Sequence, residues 1–353
     1  MEEKLNSITL KTGETMEIKL ITAPAKEYVD KLTHFLEHKG RPSMRDIKQR
    51  LRGDYAEYCV DKYIVGEIDG QVAGQIWYGY GKTGTGIANF GHVYTEPAHR
   101  KKGVVDQLMK FFLADFQASP VRAALCGTDT PWVADIYLRH GFQQIMKGSR
   151  QIGLVLFNQG KDRNFDELQK TYFKPDETVE VDYGGIAQRH DVDTFFSRSL
   201  VMLDMDKPRF AMANAVVSYI DAIHRMEDGH GVITVAATPL RHVVGWAFFL
   251  NTGSHLEAEA KVFDFEIHPW FAKFAQSVVG KSLQLAAKRG IRQAFAYCDG
   301  NDKEKVELLK SVGFAEAARL DDFLGVGHAT RALVILRGGK WMPDEALNVP
   351  DDA

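Results

Sequence analysis

The sequence predicts two α/β domains of similar size. Strand and helix patterns alternate along the chain, and their order in the first half recurs in the second. Matching landmarks keep a constant spacing. They are Pro97 with Pro269, Cys126 with Cys298, and Gly141 with Gly313, each pair 172 residues apart. A period this long indicates a duplicated domain, because solenoid repeats run to roughly 20–50 residues. In each domain, predicted helices lie between predicted strands that must pair in one sheet, which makes the domain α/β.

In the first half, apolar residues that alternate or run between turn signals predict strands, and apolar residues at helical spacing predict helices. Asp69-Gly70 predicts a tight hairpin turn. Gly141 ends a helix in the left-handed conformation. The predicted strands are 16–22, 63–68, 71–80, 87–95, 121–127, 142–147 and 151–157, and the predicted helices are 26–38, 46–52, 131–140 and one that begins after Gly103.

The second half follows a polar run, residues 158–178, which contains Pro175 and predicts an interdomain linker. The first domain is therefore expected at 1–157, the second at 179–340, and a tail at 341–353. The predicted strands of the second domain are 179–187, 231–237, 242–250, 259–268, 292–298, 314–320 and 329–337, and its predicted helices are 191–201, 209–226, 275–289 and 303–312.

Composition excludes several classes of protein. The net charge of the 353-residue chain is −3, whereas bulk nucleic-acid binding needs a basic face. The first six residues are polar and acidic rather than a signal peptide. The apolar stretch 246–250 is too short to span a bilayer, so we expect no membrane partner. Cys59, Cys126 and Cys298 have no metal-ligand spacing and predict no metal site and reduced thiols in a cytoplasmic protein. Cys126 and Cys298 lie at equivalent positions on predicted apolar strands, which favours buried structural thiols over nucleophiles.

A basic turn stands between the predicted strand 87–95 and an amphipathic helix. It reads Arg100-Lys101-Lys102-Gly103-Val104-Val105. The start of a helix exposes unpaired N–H groups and a partial positive charge, which together bind a diphosphate, and glycine lets that group come close to the backbone. The alternative is a solvated basic turn with no ligand.

With Tyr137 and Gly141-Phe142 about forty residues further on, this order resembles the GNAT superfamily of N-acetyltransferases. Arg100, Lys102 and Gly103 fit its signature Arg/Gln-x-x-Gly-x-Gly/Ala, and Val105 departs where a small residue is usual. The resemblance covers 16–157 well and 179–337 in weaker form. It implies two tandem GNAT-like domains, each a mixed, mostly antiparallel sheet flanked by helices.

The same resemblance implies a donor and a way of binding it. The donor is acetyl-CoA, whose diphosphate would lie at Arg100 to Val105. Its pantetheine arm would run beside Val93, Tyr94 and Thr95, hydrogen-bonding the strand as an added strand would.

Tyr137 stands where the family has a tyrosine that protonates the leaving thiolate, and a phenol suits this role because it stays protonated at neutral pH. The alternative is an aromatic residue that closes the core. The base is less defined. His92 is the one side chain of strand 87–95 that titrates near neutrality, and the alternative for it is a packed or surface histidine.

The second copy lacks these features. Ala272, Ala275 and Leu309 stand where the first copy has Arg100, Gly103 and Tyr137, which predicts a degenerate domain without donor chemistry. The aromatic residues of its turn, Trp270, Phe271 and Phe274, are expected to pack.

Three functions remain open on the sequence. The first is an enzyme that moves the acetyl group of acetyl-CoA to a primary amine of a small molecule or peptide by direct attack. The second is a non-catalytic acyl-CoA-binding or regulatory protein. The third is a transferase with a larger acyl or aminoacyl donor, which the basic region 41–52 would allow. The acceptor amine and the oligomeric state are not predicted.

Overall fold

The structure, a computed structural model, describes residues 1–83, 86–147, 152–158, 164–174, 178–196, 218–251, 260–326 and 329–339. The chain forms two compact units. Unit 1 comprises 1–171 and 189–195, and unit 2 comprises 172–188 and 196–353. The segment 189–195, which the sequence assigns to the second domain, therefore belongs to unit 1. The predicted tail 341–353 and residues 209–217 of a predicted helix lie outside the described residues.

Unit 1 contains an eight-stranded sheet within the described residues, in the order β1-β2-β3-β4-β5-β6-β8-β7. Its strands are β1 (Glu2–Thr9), β2 (Thr15–Thr22), β3 (Cys59–Ile68), β4 (Gln71–Gly81), β5 (Ile87–Thr95), β6 (Ala123–Thr128), β7 (Gln143–Lys147) and β8 (Ile152–Phe157). Adjacent strands are antiparallel except β5 and β6, which are parallel. The sequence did not predict β1, because this edge strand is largely exposed and shows no apolar alternation.

Helices cover both faces of this sheet. They are α1 (Val29–Phe35), α2 (Arg41–Arg52), α3 (Val104–Ala118), α4 (Pro131–Arg139), α5 (Phe165–Tyr172) and α6 (Arg189–Phe195). One core forms between the sheet and α3 with α4, around Phe90 and Phe112. The other forms beneath α1 and α2, around Leu51 and Trp77. The predicted linker contains a helix, α5, because Leu168 gives it a buried side chain.

Unit 2 contains a seven-stranded sheet in its described part, in the order β14-β15-β13-β12-β11-β10-β9. Its strands are β9 (Glu180–Tyr183), β10 (Gly231–Ala237), β11 (Val243–Leu250), β12 (Ala260–Ile267), β13 (Gln293–Asp299), β14 (Phe314–Val326) and β15 (Ala329–Gly339), and its helices are α7 (Tyr219–Glu227), α8 (Ala275–Lys288) and α9 (Lys303–Ser311). β12 and β13 are parallel, as β5 and β6 are in unit 1. The predicted α/β class, with mixed sheets flanked by helices, is confirmed.

The aromatic turn before α8 packs within unit 2. Phe271 is fully buried, and its ring centroid lies 6.1 Å from that of Phe173 and 6.3 Å from that of Phe274. The Phe173 ring stacks on His268 at 3.8 Å, while Trp270 remains 41% exposed. Phe271 is therefore the member of this turn whose burial stabilises the unit.

We predict that Phe271→Ala lowers the free energy of unfolding by ~3–5 kcal/mol, because it leaves a cavity where a buried ring packed. Phe323, which is 62% exposed on β14, provides the matched control. Phe323→Ala should change the same quantity by less than about 0.5 kcal/mol. Chemical denaturation of both variants measures the difference, and equal effects would contradict this packing.

Candidate active site

The parallel ladder between β5 and β6 is short. Its pairs are Ile87 with Ala123, Ala88 with Ala124, and Asn89 with Leu125. Among the described residues the ladder goes no further, so β5 from Phe90 and β6 from Cys126 run apart. On its other edge, β5 remains paired with β4 as far as Thr95. The split therefore leaves backbone N–H and C=O groups of β5 free to bind an extended ligand.

A β-bulge interrupts β5 just beyond the split. Gln75 of β4 pairs with Tyr94, whereas Trp77 pairs with Gly91, so β5 carries an extra residue here. His92 lies in this bulge with φ of 49°, a conformation uncommon outside glycine. The buried Gln75 side chain donates from Nε2 to the carbonyl oxygen of His92 at 2.9 Å. This hydrogen bond holds the bulge in place.

The predicted diphosphate turn leads into α3. Gly103 adopts φ of 90° directly before the helix, where a side chain would be strained. Within the described residues no side chain caps α3, so its first N–H groups remain available to an anion. Val105 packs against the core of unit 1, so the residue that departs from the signature directs its bulk inward.

The basic side chains of the turn differ in their partners. Arg100 donates from Nε to the carbonyl oxygen of Thr95 at 3.1 Å and lies over the Tyr94 ring at 5.6 Å. Lys102 forms an ion pair with Glu14, and Lys101 is exposed to solvent. Lys101 is therefore the cation of this turn that is available to a ligand without breaking a contact shown here.

Tyr137 lies at the apex of the split. Its ring is perpendicular to that of Phe90 at 5.3 Å, and the Cys126 thiol is also a neighbour. Phe90 and Cys126 are the first residues of β5 and β6 beyond the last parallel pair. Burial, with a contribution from Cys126, holds the pKa of Tyr137 well above its usual value. The phenol is 6% exposed and protonated at neutral pH.

His92 lies near Trp77, with 5.3 Å between ring centroids. Burial, together with the charge of Arg50, lowers the pKa of His92 to about 3. The imidazole is therefore neutral at neutral pH. The Arg50 guanidinium stacks on the Trp77 ring at 3.8 Å, so this basic residue of region 41–52 is buried rather than offered to a polyanionic donor.

A buried ion network links α2 to α6. Arg189 donates from Nη1 and Nη2 to the two carboxylate oxygens of Asp46, at 2.7 and 2.9 Å, and Arg50 binds the same carboxylate. Although burial acts to raise it, the two guanidinium groups hold the pKa of Asp46 well below its usual value. The sequence did not predict this network, because Asp46 and Arg189 are 143 residues apart and no periodic pattern connects them.

Unit 2 has a comparable split without the same groups. The β12–β13 ladder ends at Phe263 with Ala296, and β11 pairs with β12 in continuous register from Gly245 to Leu250. Asp264, the next residue of β12, forms a buried ion pair with Lys305 of α9. Leu309, which replaces the tyrosine, is fully buried.

Cys59, Cys126 and Cys298 form no disulfide and are buried, and the sequence predicts this burial for Cys126 and Cys298. In the described part of the chain, no group of three or more His, Cys, Asp or Glu residues could hold a metal ion. Within the same residues, no helix has the length and apolarity to cross a membrane.

Comparison with known protein families finds one model that matches part of the chain. Residues 60–144 match the family model described as acetyltransferase (GNAT) domain. No curated protein matches the sequence.

Several solved structures are similar. A GNAT-family acetyltransferase from Streptococcus pneumoniae has 10% identity, with 46% of this chain and 99% of that chain covered and a TM-score of 0.39. A chimera of the spermidine N-acetyltransferase SpeG from Vibrio cholerae and hSSAT has 11% identity, coverages of 48% and 99%, and a TM-score of 0.37. YncA from Salmonella typhimurium, solved with its cofactor acetyl-CoA, has 12% identity, coverages of 50% and 99%, and a TM-score of 0.38.

The matched residues 60–144 include the split, the bulge, the basic turn and Tyr137. This part of unit 1 is therefore similar to a GNAT acetyltransferase domain.

Proposed function

We propose that unit 1 transfers the acetyl group of acetyl-CoA to a primary amine of a small molecule or peptide. The observation that carries the proposal is the split between β5 and β6, which lies beside the uncapped start of α3. An extended donor arm needs free strand edges, and its diphosphate needs unpaired N–H groups. Unit 1 has both in one place.

Donor binding would use the residues that the sequence predicts. Val93, Tyr94 and Thr95 lie on β5 beyond the split and would meet the pantetheine arm. The N–H groups of Gly103, Val104 and Val105 would meet the diphosphate, with Lys101 adding charge attraction. Arg100 and Lys102 each have a partner within the protein. To bind the diphosphate, each would have to leave that partner.

The reaction would proceed by direct attack. The amine nitrogen forms a bond to the thioester carbon, the carbon–sulfur bond breaks, and the nitrogen gives one N–H proton to solvent as the amide forms. N–H groups at the β5 bulge would stabilise the oxygen as it gains negative charge. Tyr137, which is protonated and lies at the apex, would give its proton to the departing thiolate.

His92 would contact the amine but would not be the base that removes the proton of the amine. A group with a pKa of about 3 is neutral at neutral pH and can accept a hydrogen bond. The same low pKa makes its protonated form short-lived, and an efficient base has a pKa near the working pH. We therefore propose that His92 orients the acceptor.

Unit 2 is proposed to be a duplicated copy without donor chemistry. Apart from β1, the strand order of the two sheets is the same. Unit 2 has a continuous β11–β12 register where unit 1 has a bulge, and Ala275 where unit 1 has Gly103. The buried pair of Asp264 and Lys305 lies at its split.

Release of free thiol from acetyl-CoA, measured over a panel of amines, tests the proposal. We expect turnover with at least one class of amine. A chain that binds acetyl-CoA but releases no thiol with any amine would instead be an acyl-CoA-binding or regulatory protein.

We predict that Gly103→Asp abolishes acetyl-CoA binding, because a carboxylate would lie beside the diphosphate and a side chain would be strained at φ of 90°. Gly70→Asp is the matched control. Gly70 also has positive φ, 77°, with open space around it, but lies in the turn between β3 and β4. Calorimetry should show binding lost in the first variant and kept in the second, and unchanged affinity in Gly103→Asp would refute the donor site.

We predict that Tyr137→Phe lowers kcat by ~10²–10⁴-fold, the usual cost of losing a general acid, with little change in acetyl-CoA affinity. The variant keeps the ring that packs on Phe90, so the fold should be retained. Tyr58→Phe, which removes the hydroxyl of an exposed tyrosine, is the matched control and should leave kcat unchanged. Wild-type turnover in Tyr137→Phe would make this residue a packing residue.

A further inference from the structure

α6 lies on unit 1 at the place where β5 and β6 separate. Asn89, the last paired residue of β5, donates from Nδ2 to Oγ1 of Thr194 at 3.1 Å, and its Oδ1 lies 2.7 Å from Nδ1 of His190. Both partners belong to α6. The Asn89 side chain therefore holds α6 against the apex of the split.

The docking of α6 depends on close packing beside Trp77. A Cβ atom added to Gly79 would lie 2.8 Å from Oδ1 of Asp61 and 3.1 Å from the His190 ring. By contrast, a Cβ added to Gly91 would have the Trp77 ring as its nearest neighbour, at 3.9 Å. Gly91, which lies between Asn89 and the bulge, therefore has room for a methyl group.

Carboxyl and guanidinium groups share this face. Within the described part of unit 1, they belong to Asp46, Asp61 and Asp193 and to Arg50 and Arg189. The two guanidinium groups hold the pKa of Asp46 well below its usual value, whereas burial raises the pKa of Asp61 and that of Asp193. Burial lowers the pKa of His92 and that of His190, so both imidazoles are neutral at neutral pH.

Asp193 is the accessible member of the network. Its side chain is 24% exposed, whereas those of the other four residues are 1–5% exposed. It lies 3.5 Å from Nε of Arg189 and directly precedes Thr194, which contacts Asn89 at the apex. A cationic ligand that enters this face would therefore meet Asp193.

We propose that Asp193 binds the ammonium group of the acceptor and accepts its proton before the amine attacks acetyl-CoA. This inference rests on the proposed function and names the base that it needs. One ammonium N–H bond breaks and an O–H bond forms on the Asp193 carboxylate. The freed lone pair then attacks the thioester carbon, the carbon–sulfur bond breaks, and the thiolate leaves with the proton of Tyr137. The nitrogen loses a second N–H proton as the amide forms, and this proton restores the phenol of Tyr137 through solvent.

The electrostatics of Asp193 suit this step. Burial raises its pKa to about 6, while Arg189 opposes that shift. The carboxylate is thus ionised at neutral pH. Its pKa is close to the working pH, where a general base is most effective. The charged groups that act on Asp193 are Arg189 on α6 and Asp46 and Arg50 on α2.

The test is the pH dependence of kcat/KM in the full chain, with the best acceptor of an amine panel and acetyl-CoA. In the wild type, kcat/KM should fall as pH drops through about 6, because Asp193 becomes protonated. Asp193→Asn should lower kcat/KM by ~10²-fold or more and abolish that limb of the profile. Asp193→Glu should retain the limb, and acetyl-CoA affinity should be unchanged in both variants.

Asp135→Asn, at an exposed carboxylate on α4, is the control and should match the wild type. Asp193→Asn with wild-type kcat/KM and an unchanged profile overturns the assignment. So does a parallel loss of acetyl-CoA affinity, since that would make Asp193 structural. A wild type that binds acetyl-CoA but releases no thiol with any amine overturns the proposed function itself, which distinguishes the two failures.

Discussion

Parallel strands that share a ladder leave no free backbone groups between them, and in unit 1 that ladder stops at Asn89 and Leu125. Every feature of the candidate site is arranged around this divergence. Tyr137 lies against the first residue of each strand beyond it, the bulge at His92 follows two residues later, and α3 begins after the turn that ends β5. The course of the backbone therefore defines the site, and the side chains are arranged around it.

The opposite face of the same sheet is organised by charge. Asp46 accepts hydrogen bonds from two guanidinium groups. Removing one partner of such a buried network leaves a charge without compensation, which typically lowers the free energy of unfolding by ~3–5 kcal/mol. α6 has seven residues, and the Asp46–Arg189 pair with the Asn89 contacts fixes it. A short helix that follows the predicted linker thus becomes part of unit 1.

The sequence predicted most of unit 1 because its signals are local: the alternation in β2, the Asp-Gly turn and the apolar stripe of α3 each depend on neighbouring residues. The same reasoning identified Gly103 and Tyr137, since both belong to a spaced motif. It did not predict β1, because this strand pairs with β2 through its backbone and has no apolar pattern. It also assigned 189–195 to the second domain, because contacts between Asp46 and Arg189 leave no periodic trace.

The most direct test of the central claim, that the split of unit 1 is the donor site, is amide hydrogen exchange with and without acetyl-CoA. Binding there should slow exchange at residues 90–95 of β5 and at the first N–H groups of α3, 104–106, because the donor would cover them. The matching segments of unit 2, 262–267 and 276–278, should not change. Protection in unit 2 instead of unit 1, or equal protection in both, would contradict the account.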